Sequence, residues 1–102
     1  MAQFDVHENP RKRDFPLLLD VQADLLSRLD TRAVVPMVRL KRYGATPITR
    51  LNPTARIGGV DYILLFQELA AVPLSALGDK VTSLAGRRAD LVAALELLFT
   101  GI

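Results

Sequence analysis

Through most of its length the chain alternates apolar and polar side chains with a period of two. Over its last dozen residues the period lengthens to that of a helix. Gln3 to His7 places Phe4 and Val6 on one side and predicts a short first strand, which Glu8-Asn9-Pro10 breaks. Pro16 to Leu26 predicts the clearest strand, with Leu17, Leu19, Val21 and Ala23 facing inward and Asp20, Gln22 and Asp24 facing solvent. The alternation fails at Leu25-Leu26, where two adjacent apolar side chains cannot both face a core: either the strand curls into a loop there, or a contact surface begins. Ala33 to Leu40 is a β-branched run containing Pro36, which predicts an edge strand or one bulged at the proline.

Arg39 to Pro53 carries Gly44, Pro47 and Pro53 among charges and predicts an irregular excursion. Gly58-Gly59 lies between two apolar-bearing runs in Ala55 to Phe66, a two-residue hairpin signal. Glu68 to Val72 should pair next to the second arm and end at Pro73, followed by one helical turn over Leu74 to Gly78. Asp79 to Leu84 reads as a link into the final helix, over about residues 87–100. In that helix Leu91, Val92, Ala94, Leu95, Leu98, Phe99 and Ile102 fill one arc of roughly 160°. Leu97 lies opposite, so the helix is buried on two sides or receives a partner. Arg87 and Arg88 in its first turn carry the wrong sign for the helix dipole; solvent screens them, or they meet an acidic partner.

No helix separates consecutive strands, which argues against parallel βαβ units. The expected fold is therefore mainly β (α+β): one domain over residues 1–102, with a bent antiparallel sheet or small barrel and a C-terminal α-helix packed on it.

Composition then narrows the function. With 102 residues, half of them hydrophobic, the chain can build one core, and a second protomer would cover the excess apolar surface. A net charge of +2 with scattered basic residues does not suit a dedicated nucleic-acid binder. The basic triplet Arg11-Lys12-Arg13 reads as a solvated turn rather than a phosphate site. The absence of cysteine removes disulfide and thiolate chemistry, and a single exposed histidine, His7, supports neither a metal site nor a triad. Asp20 and Asp24 do not converge as an acid–base pair, and Gly58-Gly59 lacks the lysine and helix of a phosphate loop. No signal peptide or membrane span is evident, so a cytoplasmic protein is expected. These features favour a binding protein without cofactor, metal or catalytic residue over an enzyme.

Several short motifs, in order, resemble the CcdB-type toxins of type II toxin–antitoxin modules. They are Gln3-Phe4 with Val6, Asp20-Val21-Gln22 with Asp24 and the aliphatic pair, Val35-Pro36, Leu51, Pro53 and Ile57-Gly58. Ala71-Val72-Pro73-Leu74-Ser75 with Gly78, then Phe99, Gly101 and Ile102, complete the set. The resemblance implies the SH3-like barrel of the CcdB and MazF toxin type, with a small accessory sheet and a C-terminal helix. It also implies a homodimer that binds the gyrase A subunit and poisons DNA gyrase. A CcdA-like antitoxin with an acidic tail would neutralise it, and the pair would repress their own operon, with operator DNA contacted only through the antitoxin.

Carried over by position, the gyrase-binding surface comprises Leu25, Leu26, Phe99, Gly101 and Ile102. The antitoxin surface would overlap Leu25, Leu26 and the tail. Two positions diverge: the family has tryptophan where this chain has Thr100, and asparagine where it has Glu96. The alternative is thus a CcdB-fold homodimer that keeps antitoxin binding and regulation while gyrase poisoning is lost or altered. An endoribonuclease of the related toxin fold is a third, enzymatic alternative.

Overall fold

A computed structural model describes residues 2–11 and 14–102. Arg11 is exposed, and the remainder of the basic triplet, Lys12-Arg13, lies outside the described residues. The strands are β1 (Asp5–Glu8), β2 (Leu17–Asp20), β3 (Thr31–Arg39), β4 (Thr54–Ile57), β5 (Val60–Leu64), β6 (Ala70–Pro73) and β7 (Lys80–Ser83). Among the described residues a single α-helix, α1 (Arg88–Thr100), follows a 3-10 turn over Ala85–Arg87. All six strand pairings are antiparallel, in the order β4-β5-β3-β2-β1-β7 with β6 also on β3. The sheet curls into a half-barrel, and the Leu74–Asp79 link from β6 to β7 spans its open side. The expected small accessory sheet is not separate: the β4–β5 hairpin is continuous with the main sheet, joined to the end of β3 through β5.

The hairpin forms where glycine permits it. Gly58 and Gly59 have φ of 58° and 78°, the paired positive values of a turn whose twist matches its strands. The expected pairing of the next strand is corrected, however. β6 adds to β3 rather than to β5, because a 3-10 turn at Phe66–Glu68 shifts the chain along the same edge of β3. β3 is therefore central, not an edge strand. Pro36 survives there because its donor side faces the break between β5 and β6, where its carbonyl accepts from Leu65 N at 3.0 Å and no strand needs a proton.

Strand partners share a face, so register sorts the side chains. Val6, Leu17, Leu19, Val35 and Met37 pack on Leu91 and Ala94 of α1 with Phe4, Tyr62, Leu64 and Phe66 to form the principal core. The other face carries Asp5, His7, Leu18, Asp20, Arg32 and Val34, all buried as well, within the curl of the barrel. This is why Leu17-Leu18-Leu19 runs apolar without alternation: β2 is covered on both sides.

Asp20 is accordingly not on a solvent face. It and Arg32 are 0% and 1% exposed, with Arg32 Nε and Nη2 donating to Asp20 Oδ2 at 2.9 and 2.5 Å. Asp20 Oδ1 accepts from Gln22 N at 3.0 Å, so both carboxylate oxygens are used. His7 is also buried rather than exposed, with Nδ1 3.1 Å from Gly78 O.

Three boundaries also move. β2 stops at Asp20, and Ala23, expected inside, is exposed ahead of a 3-10 turn over Asp24–Leu26. The first strand begins two residues late because Phe4, at φ 70°, swings its ring into the core. Asp79 to Leu84 is not merely a link, since β7 pairs with β1 across a bulge between Val6 and His7. Close approach there demands glycine: a Cβ on Gly78 would stand 2.9 Å from the Glu8 carbonyl oxygen.

Replacing Arg32 with Met should destabilise the fold by about 3–5 kcal/mol, because it leaves Asp20 buried and unpaired. Changing Asp20 to a similarly sized apolar residue in the same chain should recover much of that loss. Urea unfolding of the single and double variants measures both. Acid sensitivity is set partly by Asp5. Burial raises its pKa, but the Ala2 N–H and the Lys80 ammonium, with His7, outweigh burial and hold it below the ordinary 3.8. A lowered folded pKa stabilises above the unfolded value and is lost as pH falls through the folded one. Asp5→Asn should therefore cost stability at neutral pH, and the gap from wild type should narrow below about pH 3.8; urea midpoints across pH report it.

Candidate functional site

The aliphatic pair sits where β2 gives way to the 3-10 turn. Leu26 N donates to Ala23 O at 2.9 Å and Ser27 N to Asp24 O at 3.1 Å, which closes the turn tightly. The turn pushes Leu25 outward to 92% exposure, with Leu26 at 47%. Side chains from inside the barrel fix it. Gln22 Nε2 donates to Leu26 O at 2.9 Å while its Oε1 accepts from Ala33 N at 3.1 Å, and Gln22 N is held by Asp20. From the other side Asp24 Oδ1 accepts from Gln3 N at 2.7 Å. Of the two alternatives expected at Leu25-Leu26, the strand does curl into a turn, and that turn leaves an apolar knob in solvent.

The second stretch is the end of α1. Its inward face is narrower than the periodicity implied, with Leu91 and Ala94 fully buried. Phe99 and Ile102, expected on the core arc, are instead 69% and 76% exposed. Leu97, expected on the wet side, is half-buried. The helix also stops before Ile102. Gly101 takes φ 75° and its N–H donates to Leu97 O at 3.0 Å, a left-handed cap that only glycine adopts without strain. Thr100 Oγ1 donates to Glu96 O at 2.6 Å and accepts from Ile102 N at 3.4 Å. The hydroxyl is committed to the backbone, which leaves the methyl as the outward apolar group of Thr100. Glu96 itself is exposed.

Gln3 ties the leucine turn to the start of α1 rather than to its end. Its Nε2 donates to Val21 O at 3.1 Å, and its Oε1 accepts from Arg88 Nη1 at 2.9 Å at the start of α1. The Arg88 guanidinium also lies 5.7 Å from the centre of the Phe4 ring. Arg87 donates to the Thr54 carbonyl and reaches Asp90 at 3.4 Å. The two arginines thus have structural partners that offset their unfavourable place at the helix start. At 1.5 Å per residue Thr100 lies ~18 Å along the axis from Arg88, so one protomer carries the leucine turn and the apolar tail at opposite ends of α1. Sequence reasoning found the displayed residues but missed the supports: Gln3, Gln22, Asp24, Arg32 and Arg88. Gln3, Gln22 and Asp24 were visible only as members of family motifs, and Arg88 only as a charge of the wrong sign at the helix start.

Two grooves lie elsewhere, one lined by Leu18, Val34, Pro36, Ala70 and Val72 and another by Glu8, Asp14, Leu17, Arg39 and Tyr62. Among the described residues, no group of three or more His, Asp or Glu side chains converges as a metal site, and no helix is long and apolar enough to cross a membrane. A protruding apolar turn and an apolar tail, each fixed by internal hydrogen bonds, suit recognition of another protein rather than a small molecule. The family model described as CcdB protein matches residues 3–101, nearly the whole chain, and with the half-barrel and terminal helix in place the chain belongs to the CcdB family of gyrase-targeting toxins from toxin–antitoxin modules.

Proposed function

We propose that the chain is the toxin of such a module and binds the gyrase A subunit as a homodimer. The contacts would come from Leu25, Leu26, Phe99, Gly101 and Ile102, with Glu96 and Thr100 at the rim. Family toxins are non-enzymatic gyrase poisons, and their modules supply an antitoxin. Here the antitoxin is of the CcdA type, with an acidic tail that overlaps the same turn and tail and carries the pair to operator DNA. The observation that carries this reading is Leu25: a leucine 92% exposed on a turn that five side-chain hydrogen bonds around Gln22, Asp24, Asp20 and Gln3 support. A monomer with no partner for that side chain would have no use for such rigidity. Dimerisation would supply the turn of one protomer and the tail of another to one continuous surface, which the ~18 Å run of α1 denies to a single copy.

The second reading, a CcdB-fold protein that retains antitoxin binding with gyrase poisoning lost or altered, draws on Thr100 and Glu96. A tryptophan buried at an interface is worth at least about 2 kcal/mol, and a threonine methyl cannot replace that area. Glu96 adds a negative charge that disfavours approach to a DNA-bound enzyme.

Leu25→Asp should leave unfolding unchanged, because the side chain is solvent-exposed, yet weaken binding to a purified gyrase A fragment by roughly tenfold or more. Equal binding by both proteins would remove Leu25 from the contact. Supercoiling and cleavage assays with gyrase and plasmid separate the two readings. Under the first, wild type inhibits or traps gyrase. Under the second, only the Glu96→Asn, Thr100→Trp double variant does, with a gain of about thirtyfold for a recovered 2 kcal/mol.

A further inference from the structure

Among the described residues, Arg50 is one of two non-glycine residues with a positive φ, at 71°. The other, Phe4, is explained by its buried ring; Arg50 is exposed and has no such reason. A left-handed conformation is unfavourable for an L-residue, and it persists only when its surroundings enforce it. Here they do. Ile48 O accepts from Leu51 N at 3.2 Å and from Asn52 N at 2.9 Å, while Ile48 N donates to Asn52 Oδ1 at 2.9 Å. Asn52 is buried and roots this turn in the sheet, with Nδ2 donating to Leu64 O at 3.1 Å and Gln67 Oε1 at 2.7 Å.

At the apex of this anchored turn, Arg50 Nη2 donates to the main-chain oxygen of Ile102 at 2.8 Å. The contact is made just after Gly101 has reversed the chain, where the carbonyl end of α1 is negative and the helix carries no basic residue in its last turn. Arg50 brings the missing positive charge from a distant part of the sequence. It grips only backbone, so the side chains of Phe99 and Ile102 stay exposed.

We infer that Arg50 is a positioning residue. Its guanidinium holds the main chain of the tail so that Phe99 and Ile102 meet the target in one fixed arrangement. This rests on the proposed use of the tail in target binding. Fixing an otherwise frayed end before binding removes an ordering cost that would fall on the affinity.

The test uses the full chain as Arg50→Gly and Arg50→Lys. Glycine accepts the positive φ without strain, so the urea midpoint of Arg50→Gly should stay level or rise, while the tail is released. Backbone order parameters from nitrogen-15 relaxation at Gly101 and Ile102 should fall from the rigid range of about 0.85 to below about 0.6. The dissociation constant for the gyrase A fragment should rise about fivefold or more as that order is lost. Arg50→Lys keeps the charge and should recover part of both readouts. Unchanged order at Ile102 in Arg50→Gly overturns the clamp, and unchanged affinity despite lost order overturns its role in binding. If wild type does not bind the fragment, the proposed target use fails, while the order parameters still decide whether Arg50 holds the tail.

Discussion

The buried ion pair of Asp20 and Arg32 is the constraint on which the rest depends. Removing two charges from water costs several kcal/mol per ion, and the pair recovers this only because its geometry is close and its spare acceptor is filled by Gln22 N. That requirement reaches outward. Gln22 must sit against Asp20, and in that position its side chain secures both the Ala33 amide and the Leu26 carbonyl. The polar centre of the barrel thereby dictates the shape of the turn that lifts Leu25 into solvent. An apolar barrel centre of equal volume is often of comparable stability, but it would leave the turn without its support.

The same two-sided burial explains which parts of the fold were legible. The Gly58-Gly59 hairpin, β3, the short turn after Pro73 and the terminal helix each follow from local chemistry, and local chemistry is what a sequence displays. Asp20 was misplaced because alternation assigns every second residue to solvent, and that holds only for a sheet with one wet face. In a curled sheet the second face is also interior, and a charged residue there depends on a partner twelve positions away. β7 was hidden for a related reason. Lys80 to Ser83 has little apolar character, and it is a strand because Gly78 lets the chain press onto Glu8 and meet β1.

The candidate site shows the same division. Leu25-Leu26 announced itself by breaking a pattern, whereas periodicity put Phe99 and Ile102 on the core arc and only the family resemblance marked them as displayed. A helical wheel places both on the apolar arc, but it carries no information on what the helix packs against. The supports were less visible still. Gln3, Arg88 and Arg50 act across separations of 18 to 85 residues, and their types are common on any surface. What the sequence displays is the apolar residue offered to a partner; what it conceals is the polar framework that fixes its position.

Thr100 brings these arguments to one atom. Its hydroxyl bonds the Glu96 carbonyl and meets the Ile102 amide, so the tail is ordered by the chain itself, with Arg50 closing it from outside. A tryptophan at this position would forfeit that bond, worth about 1 kcal/mol, and would order the tail chiefly by packing against whatever it touches. On the proposed use of the tail, a tryptophan would place affinity in contact area, whereas threonine would place it in preorganisation with a smaller surface. The two solutions differ in kinetics as well as strength. A small rigid surface needs little rearrangement on encounter, while the loss of buried aromatic area falls mainly on the dissociation rate. On the proposed reading, a toxin built this way would engage its target readily and release it sooner, leaving an antitoxin more opportunity to compete for the turn and tail.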